Sequence, residues 1–420
     1  MIKRKSLCLS VIVAALLGMA GCKPALWEQK YPDARERNSR ALDLAKIDAS
    51  GPVVVGQTPL DDLQPQTLFL AHYSTEGELL WDLRFPQYET TLGGDNNNIL
   101  ALDAEGGSFV VGYERQDGLQ WGDLIVLKVS SDGELLWSRT VIESLGDLQD
   151  ADVAIDPINQ QHYVLATLDD KSETTLFAYD SMGNLQWQYN LRSDLNRVES
   201  GQIGLDQQGN IFITDQRTLV KLNVNGIVES EIKVANLGIE TIDRLAVSGS
   251  GIGLVGKADT GYKLMLLNNE FDPVTESIVE SEITFQIRSH LAMFDEQSLC
   301  FSLHNYIAGE QQVVGVLSAE NGLKMIQHYS DADSYTLPVA AEALPDKCFL
   351  ARQVFDTEKG RGHTIVETID KDGEINDSIR ISDYFALGLA PDQDAFYAGG
   401  LTLYYTDHET VATTVKYSLN

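Results

Sequence analysis

Helical periodicity is almost missing from this 420-residue chain once its first 21 positions are passed. Cysteine is scarce, with only Cys8, Cys22, Cys300 and Cys348 in the sequence. That excludes a small disulfide-stapled scaffold and the paired-cysteine zinc motifs. After residue 21 no apolar run is long enough to cross a bilayer as a helix. Positive charge is also short: 31 Lys and Arg stand against 62 Asp and Glu, a formal net charge of −31. A surface this acidic repels nucleic acid and anionic head groups, so nucleic acid is excluded as a partner. Neither H-x-x-x-H nor G-x-S-x-G occurs. No catalytic residue, metal ligand or cofactor is assigned from the sequence.

What is present begins with the N-terminus. Lys3, Arg4 and Lys5 precede an apolar run from Leu7 to Leu17, followed by small residues up to Gly21. This is the layout of a secretory signal peptide. The segment ends Met19-Ala20-Gly21-Cys22, which resembles the lipobox of bacterial lipoproteins. The resemblance implies cleavage before Cys22, lipid on its thiol and acylation of the new amine, hence attachment to a membrane. Lys23 rather than Asp follows the cysteine. By the same resemblance this points to the outer membrane, on its periplasmic side. Exported to an oxidising compartment, Cys300 and Cys348 could form a disulfide or remain buried thiols.

Beyond the anchor two short patterns alternate. One is strand, polar turn, strand, as in Leu100–Gly112 and Ile203–Thr214. The other is strand, Gly-containing turn, strand, often ending in Trp, as in Leu124–Trp137 and Thr175–Trp187. Asp-Gly and Asn-Gly between apolar runs are strong hairpin signals, because glycine accepts the positive φ that tight turns need. Each pattern recurs eight times, giving four strands per repeat at the spacing of a propeller blade. The reading is an all-β fold: a β-propeller of eight blades of four antiparallel strands. Residues 1–21 are read as signal peptide, 22–40 as lipidated cysteine and linker, and 41–420 as propeller. At the Trp position of the later repeats stand Ser230, Glu276, Ile326 and Asp377.

The Leu-x-x-Leu…Gly-x-x-x-Trp units resemble the repeats of PQQ-type bacterial β-propellers. Together with the lipobox, they resemble the BamB-type propeller lipoproteins of the outer-membrane barrel-assembly machinery. The resemblance implies a non-catalytic scaffold with a protein partner. PQQ-dependent dehydrogenases are longer and often carry adjacent cysteines, so no cofactor is implied.

In such a ring the hairpin turns fall on one face and the longer links on the other. Variable links on a rigid scaffold are where binding concentrates. Tyr88, Tyr113, Trp121, Tyr306 and Phe355 are aromatics that the repeat does not require, and they mark the candidate binding face. Three functions fit: a protein-binding or scaffold module, monomeric outside its complex; a glycan or small-ligand binder; and a hydrolase or lyase with its site at the central channel. Gly251-Ile-Gly-Leu-Val-Gly256 satisfies G-x-G-x-x-G but has no following helix, and reads as a glycine-rich turn.

Overall fold

A computed structural model describes residues 24–31, 39–46, 50–59, 66–89, 98–114, 122–143, 148–168, 173–192, 201–280, 287–305, 311–329, 334–356, 361–404 and 409–419. Eight antiparallel sheets follow one another around a ring. Seven are built from consecutive strands, beginning with blade 1 (Arg40–Ala45, Val53–Pro59, Gln66–Tyr73, Leu79–Phe85). The chain is therefore an eight-bladed β-propeller, as its repeats predict. Among the described residues the one helical element is the 3-10 turn Val234–Leu237.

Burial explains the sequence pattern. The two middle strands of a blade are covered on both faces by neighbouring blades, so they read as unbroken apolar runs. Ser108–Glu114 and His162–Leu168 are buried nearly throughout. The outermost strand has one covered side, and Leu185–Arg192 alternates half-buried with exposed residues. Near the axis neighbouring blades approach closely enough to require glycine at one contact. A Cβ on Gly204 of blade 4 would lie 2.5 Å from Val247 of blade 5. Gly251-Ile-Gly-Leu-Val-Gly256 lies within the strand Gly251–Ala258, so it is strand and not turn.

Blade 8 supplies only three strands from the end of the chain: Tyr384–Pro391, Ala395–Tyr404 and Glu409–Ser418. Its outer strand is Trp27–Lys30, which pairs antiparallel with the last of them, Trp27 opposite Lys416. Leu26 N–H to Lys416 O (2.8 Å) and Tyr31 N–H to Ala412 O (2.9 Å) extend the ladder. Tyr31 then stacks on Phe69 of blade 1 at 3.8 Å. The propeller thus begins at Trp27, not at residue 41, and part of the span read as linker closes the ring.

Four tryptophans latch successive blades. Trp27, Trp81, Trp137 and Trp187 donate their indole N–H to Thr75, Ser131, Ser181 and Val224 O of the following blade, at 2.8–3.1 Å. Each ring lies on the glycine of that turn, Gly77, Gly133, Gly183 or Gly226, where φ is +76° to +85°. Glycine is required twice, for the left-handed backbone and because a Cβ would stand 2.6–2.8 Å from the indole. The latches join blades 8 to 1, 1 to 2, 2 to 3 and 3 to 4.

At the next junction the arrangement inverts. Strand pairing places Thr275, not Glu276, at the tryptophan position of blade 5, because Thr275 faces Leu266 as Ser230 faces Lys221. The turn residue equivalent to glycine is Phe271, held at φ +66° and 3% exposed. Its ring packs edge-on to Phe212 of blade 4 at 6.3 Å. The turn thus sends an aromatic back into the space that Ser230 leaves open. Between blades 6 and 7, Cys300 and Cys348 are joined by a disulfide with a Cα–Cα distance of 6.5 Å. Both lie in a fully buried apolar cluster with Phe294, Val314 and Leu350.

Candidate functional site: the axial channel

The innermost strands surround a cavity of about 390 Å³ lined by residues of all eight blades. Strand pairing aligns them: Ala45 faces Val53, Ala101 Phe109, Ala154 Tyr163, Gly204 Phe212 and Ala246 Gly253. Two positions upstream stand Asp43, Ile99, Asp152, Gln202 and Arg244. Four polar residues of the channel wall, Asp43, Asp152, Gln202 and Arg244, share this position.

The innermost edge of each sheet would leave backbone N–H groups without partners, a costly state once they are desolvated. The aligned side chains supply them. Asp43 Oδ2 accepts from Ile99 and Leu100 N–H of blade 2 at 3.0 and 3.2 Å. Asp152 Oδ2 accepts from Ile203 N–H of blade 4 at 3.0 Å, and Gln202 Oε1 from Leu245 N–H of blade 5 at 2.6 Å. Gln202 Nε2 also donates to Asp243 O at 2.7 Å. Ile99 cannot accept, so Asp152 reaches backward too, taking Asn98 N–H on Oδ1 at 3.1 Å. One residue position therefore ties blades 1 to 5 around the axis.

Burial pushes the Asp152 carboxyl up to about 8, against the pull of its backbone donors. Asp43 rises to about 7 for the same reason. Glu342 of blade 7 lines the same cavity. Enclosure by the blades, and then the Asp43 charge, push its carboxyl up. Solvent reaches Glu342, so burial weighs on it less than on Asp152, which is 3% exposed. A raised carboxyl pKa means the folded chain holds protons that the unfolded chain has released. The stability from these groups is complete below about pH 4 and is lost as pH rises through about 8. Asp152→Asn should therefore gain on the parent protein as pH rises from 5 to 8.5, read as the difference between urea midpoints. A constant difference across that window would refute the assignment.

The aromatics expected on the linking face lie in different surroundings. Tyr113 is 1% exposed, in the strand Ser108–Glu114, and belongs to the core rather than to a surface. It reads as loop in sequence because it follows Gly112, but the strand runs two residues further. Tyr88 is half-buried in the short strand Tyr88–Glu89, 6.2 Å from Phe85. Phe355 is half-buried against Phe385 of blade 8 at 4.8 Å. Trp121, Tyr306 and Cys22 lie outside the described residues. Among the described residues there is no cluster of three or more metal-ligating side chains. The channel position was missed in sequence because each of its polar residues resembles an ordinary strand start. The signal that could have found it is the polar residue two positions before a small one, in the first strand of successive repeats.

No protein-family model matches the chain, and no curated protein does. Solved structures resemble it at low identity. The β-propeller domain of the Trilobed protease from Pyrococcus furiosus is 8% identical, with a TM-score of 0.48 over 80% of this chain and 97% of that one. Catalytically inactive virginiamycin B lyase from Staphylococcus aureus is 9% identical, with a TM-score of 0.48 over 78% and 98%. The WD40 domain of Toxoplasma gondii coronin is 10% identical, with a TM-score of 0.48 over 90% and 89%. Identities this low leave the chemistry of the chain to its own residues.

Proposed function

We propose that the protein is a lipid-anchored, non-catalytic propeller that binds a protein partner at the periplasmic side of the outer membrane. One observation supports the reading: the first described strand, Trp27–Lys30, starts on the face of the ring opposite the strand ends that bound the long links. Trp27 sits opposite Lys416, near the end of Glu409–Ser418, which is the end where the hairpin turns fall. The chain from Cys22 therefore enters on the hairpin-turn face. The strand ends that bound the links 57 to 66, 84 to 98, 113 to 122, 304 to 312 and 353 to 362 lie on the other face. A rigid body tethered on one face presents the variable face to partners.

The test has two arms. Radiolabelled palmitate should enter the parent protein and not Cys22→Ala, which should move to the soluble fraction. Affinity capture from detergent-solubilised membranes should recover a stoichiometric partner that Trp121→Ala and Tyr306→Ala lose. Recovery of nothing above background would overturn partner binding while leaving the anchor standing. A second reading rests on the channel, whose volume of about 390 Å³ falls within the range of small-ligand pockets and whose wall presents Glu342. In that reading a small polar ligand or glycan binds at the axis, and Glu342→Gln abolishes its binding.

A further inference from the structure

Among the described residues, most of the exposed large apolar side chains gather at one end of the blades, Ile278 lying toward the other. Leu80, Leu136, Met182, Ile227 and Val274 lie in or just after the turn before the outermost strand of blades 1 to 5. Met182 is 72% exposed and Ile227 60%. Leu26, 58% exposed, lies at the same end, immediately before Trp27. Latching explains the neighbouring tryptophans, which are drawn onto the next turn. It does not explain these residues, which face outward beside acidic positions such as Glu78 and Glu134.

The chain outside the structure says what lies against them. Cys22 is five positions before Trp27, so at most about 18 Å of extended chain separates the anchor from this rim. The geometry points to the hairpin-turn face resting on the bilayer, with the apolar rim dipping into the head-group region of zwitterionic lipid. This rests on the anchor reading above, since acylation supplies the attachment and the rim supplies the orientation. The acidic balance, a formal net charge of −31 that becomes more negative once Lys3, Arg4 and Lys5 are removed with the signal segment, fixes the lipid class. Anionic head groups would repel the acidic turns between the apolar residues, so the contact should weaken as anionic lipid is added.

The test uses the full acylated chain in phosphatidylethanolamine–phosphatidylcholine vesicles whose acyl chains carry bromine. A fluorophore is placed at Met182→Cys, at Ile227→Cys, or at the exposed Asn236→Cys on the opposite face. Bromine should quench the first two labels several-fold more than the third, and added phosphatidylglycerol should reduce that quenching. Leu80→Ser combined with Leu136→Ser should lower it without loss of fold, since both positions are exposed. Acylated protein with equal quenching at all three sites would overturn the orientation. So would shielding of the Met182 label by an added protein fraction but never by lipid, which would assign the rim to a protein. Absence of acylation, read separately by mass, would instead overturn the anchor.

Discussion

Trp137→Ala is expected to lower the free energy of unfolding by about 3–5 kcal/mol, the range for truncating a large buried aromatic. Trp137 is 8% exposed. It covers Phe109 of its own blade at 5.8 Å and His162 of the next at 5.8 Å. Its N–H holds Ser181 O at 3.0 Å. Arg139 closes the same junction, lying 5.6 Å over the indole and donating to Gly183 O at 2.7 Å. Removal of the ring leaves a cavity between two rigid sheets that cannot collapse far. Trp81→Ala should cost less, because solvent reaches that ring. Urea denaturation of the chain from residue 23 onward measures both. A loss below about 1 kcal/mol at Trp137, or a reversed order, would show that the latches do not bear on stability. Gly183→Ala tests the same junction from the other side, since its methyl would need the space that the indole occupies.

Cys348→Ala should lower stability by about 4 kcal/mol, the chain-entropy value for a bridge closing roughly fifty residues. The bond joins positions 48 apart and both half-cystines are fully buried. The change should therefore act through the unfolded chain, with little repacking of the apolar cluster around it. Folded protein should resist a thiol reductant until denaturant opens it, and then refold with a midpoint shifted toward that of the variant. Identical midpoints for parent and variant would mean that the bridge adds nothing to the junction of blades 6 and 7. The staple falls where the tryptophan latches are missing, so this half of the ring should be the more sensitive to reduction.

The repeat was legible because two local rules, glycine in a tight turn and apolar runs in strands covered on both faces, are written within a few residues of each other. Sequence neighbours were enough to find Gly133 and Gly183. Long-range pairing was not legible. Trp27–Lys30 is four residues long and lies outside the two-hairpin repeat, so the repeat does not mark it as a strand. Its partner lies at the far end of the chain, as does that of Ser39, whose hydroxyl accepts from Ala412 N–H across 373 positions. At the turn of blade 5, Phe271 stands where the other turns carry glycine, and the tryptophan position after it was read as Glu276 where strand pairing gives Thr275. The channel was hidden for another reason. Asp43, Asp152 and Gln202 act through the backbone of the next blade, and a single-strand pattern carries no sign of that.

An outer strand borrowed from the beginning of the polypeptide sets an order of events. Trp27–Lys30 is synthesised before every other strand of the ring, yet it has no partner until Glu409–Ser418 has followed. Until then the nascent protein is an open arc, with an unpaired border at each end able to recruit a stranger. Closure is then one late step across almost the whole contour length, the type of contact that slows folding most. A chaperone that shields the first-made border would thus act on the stretch around Trp27–Lys30, and its release would coincide with completion of the circle.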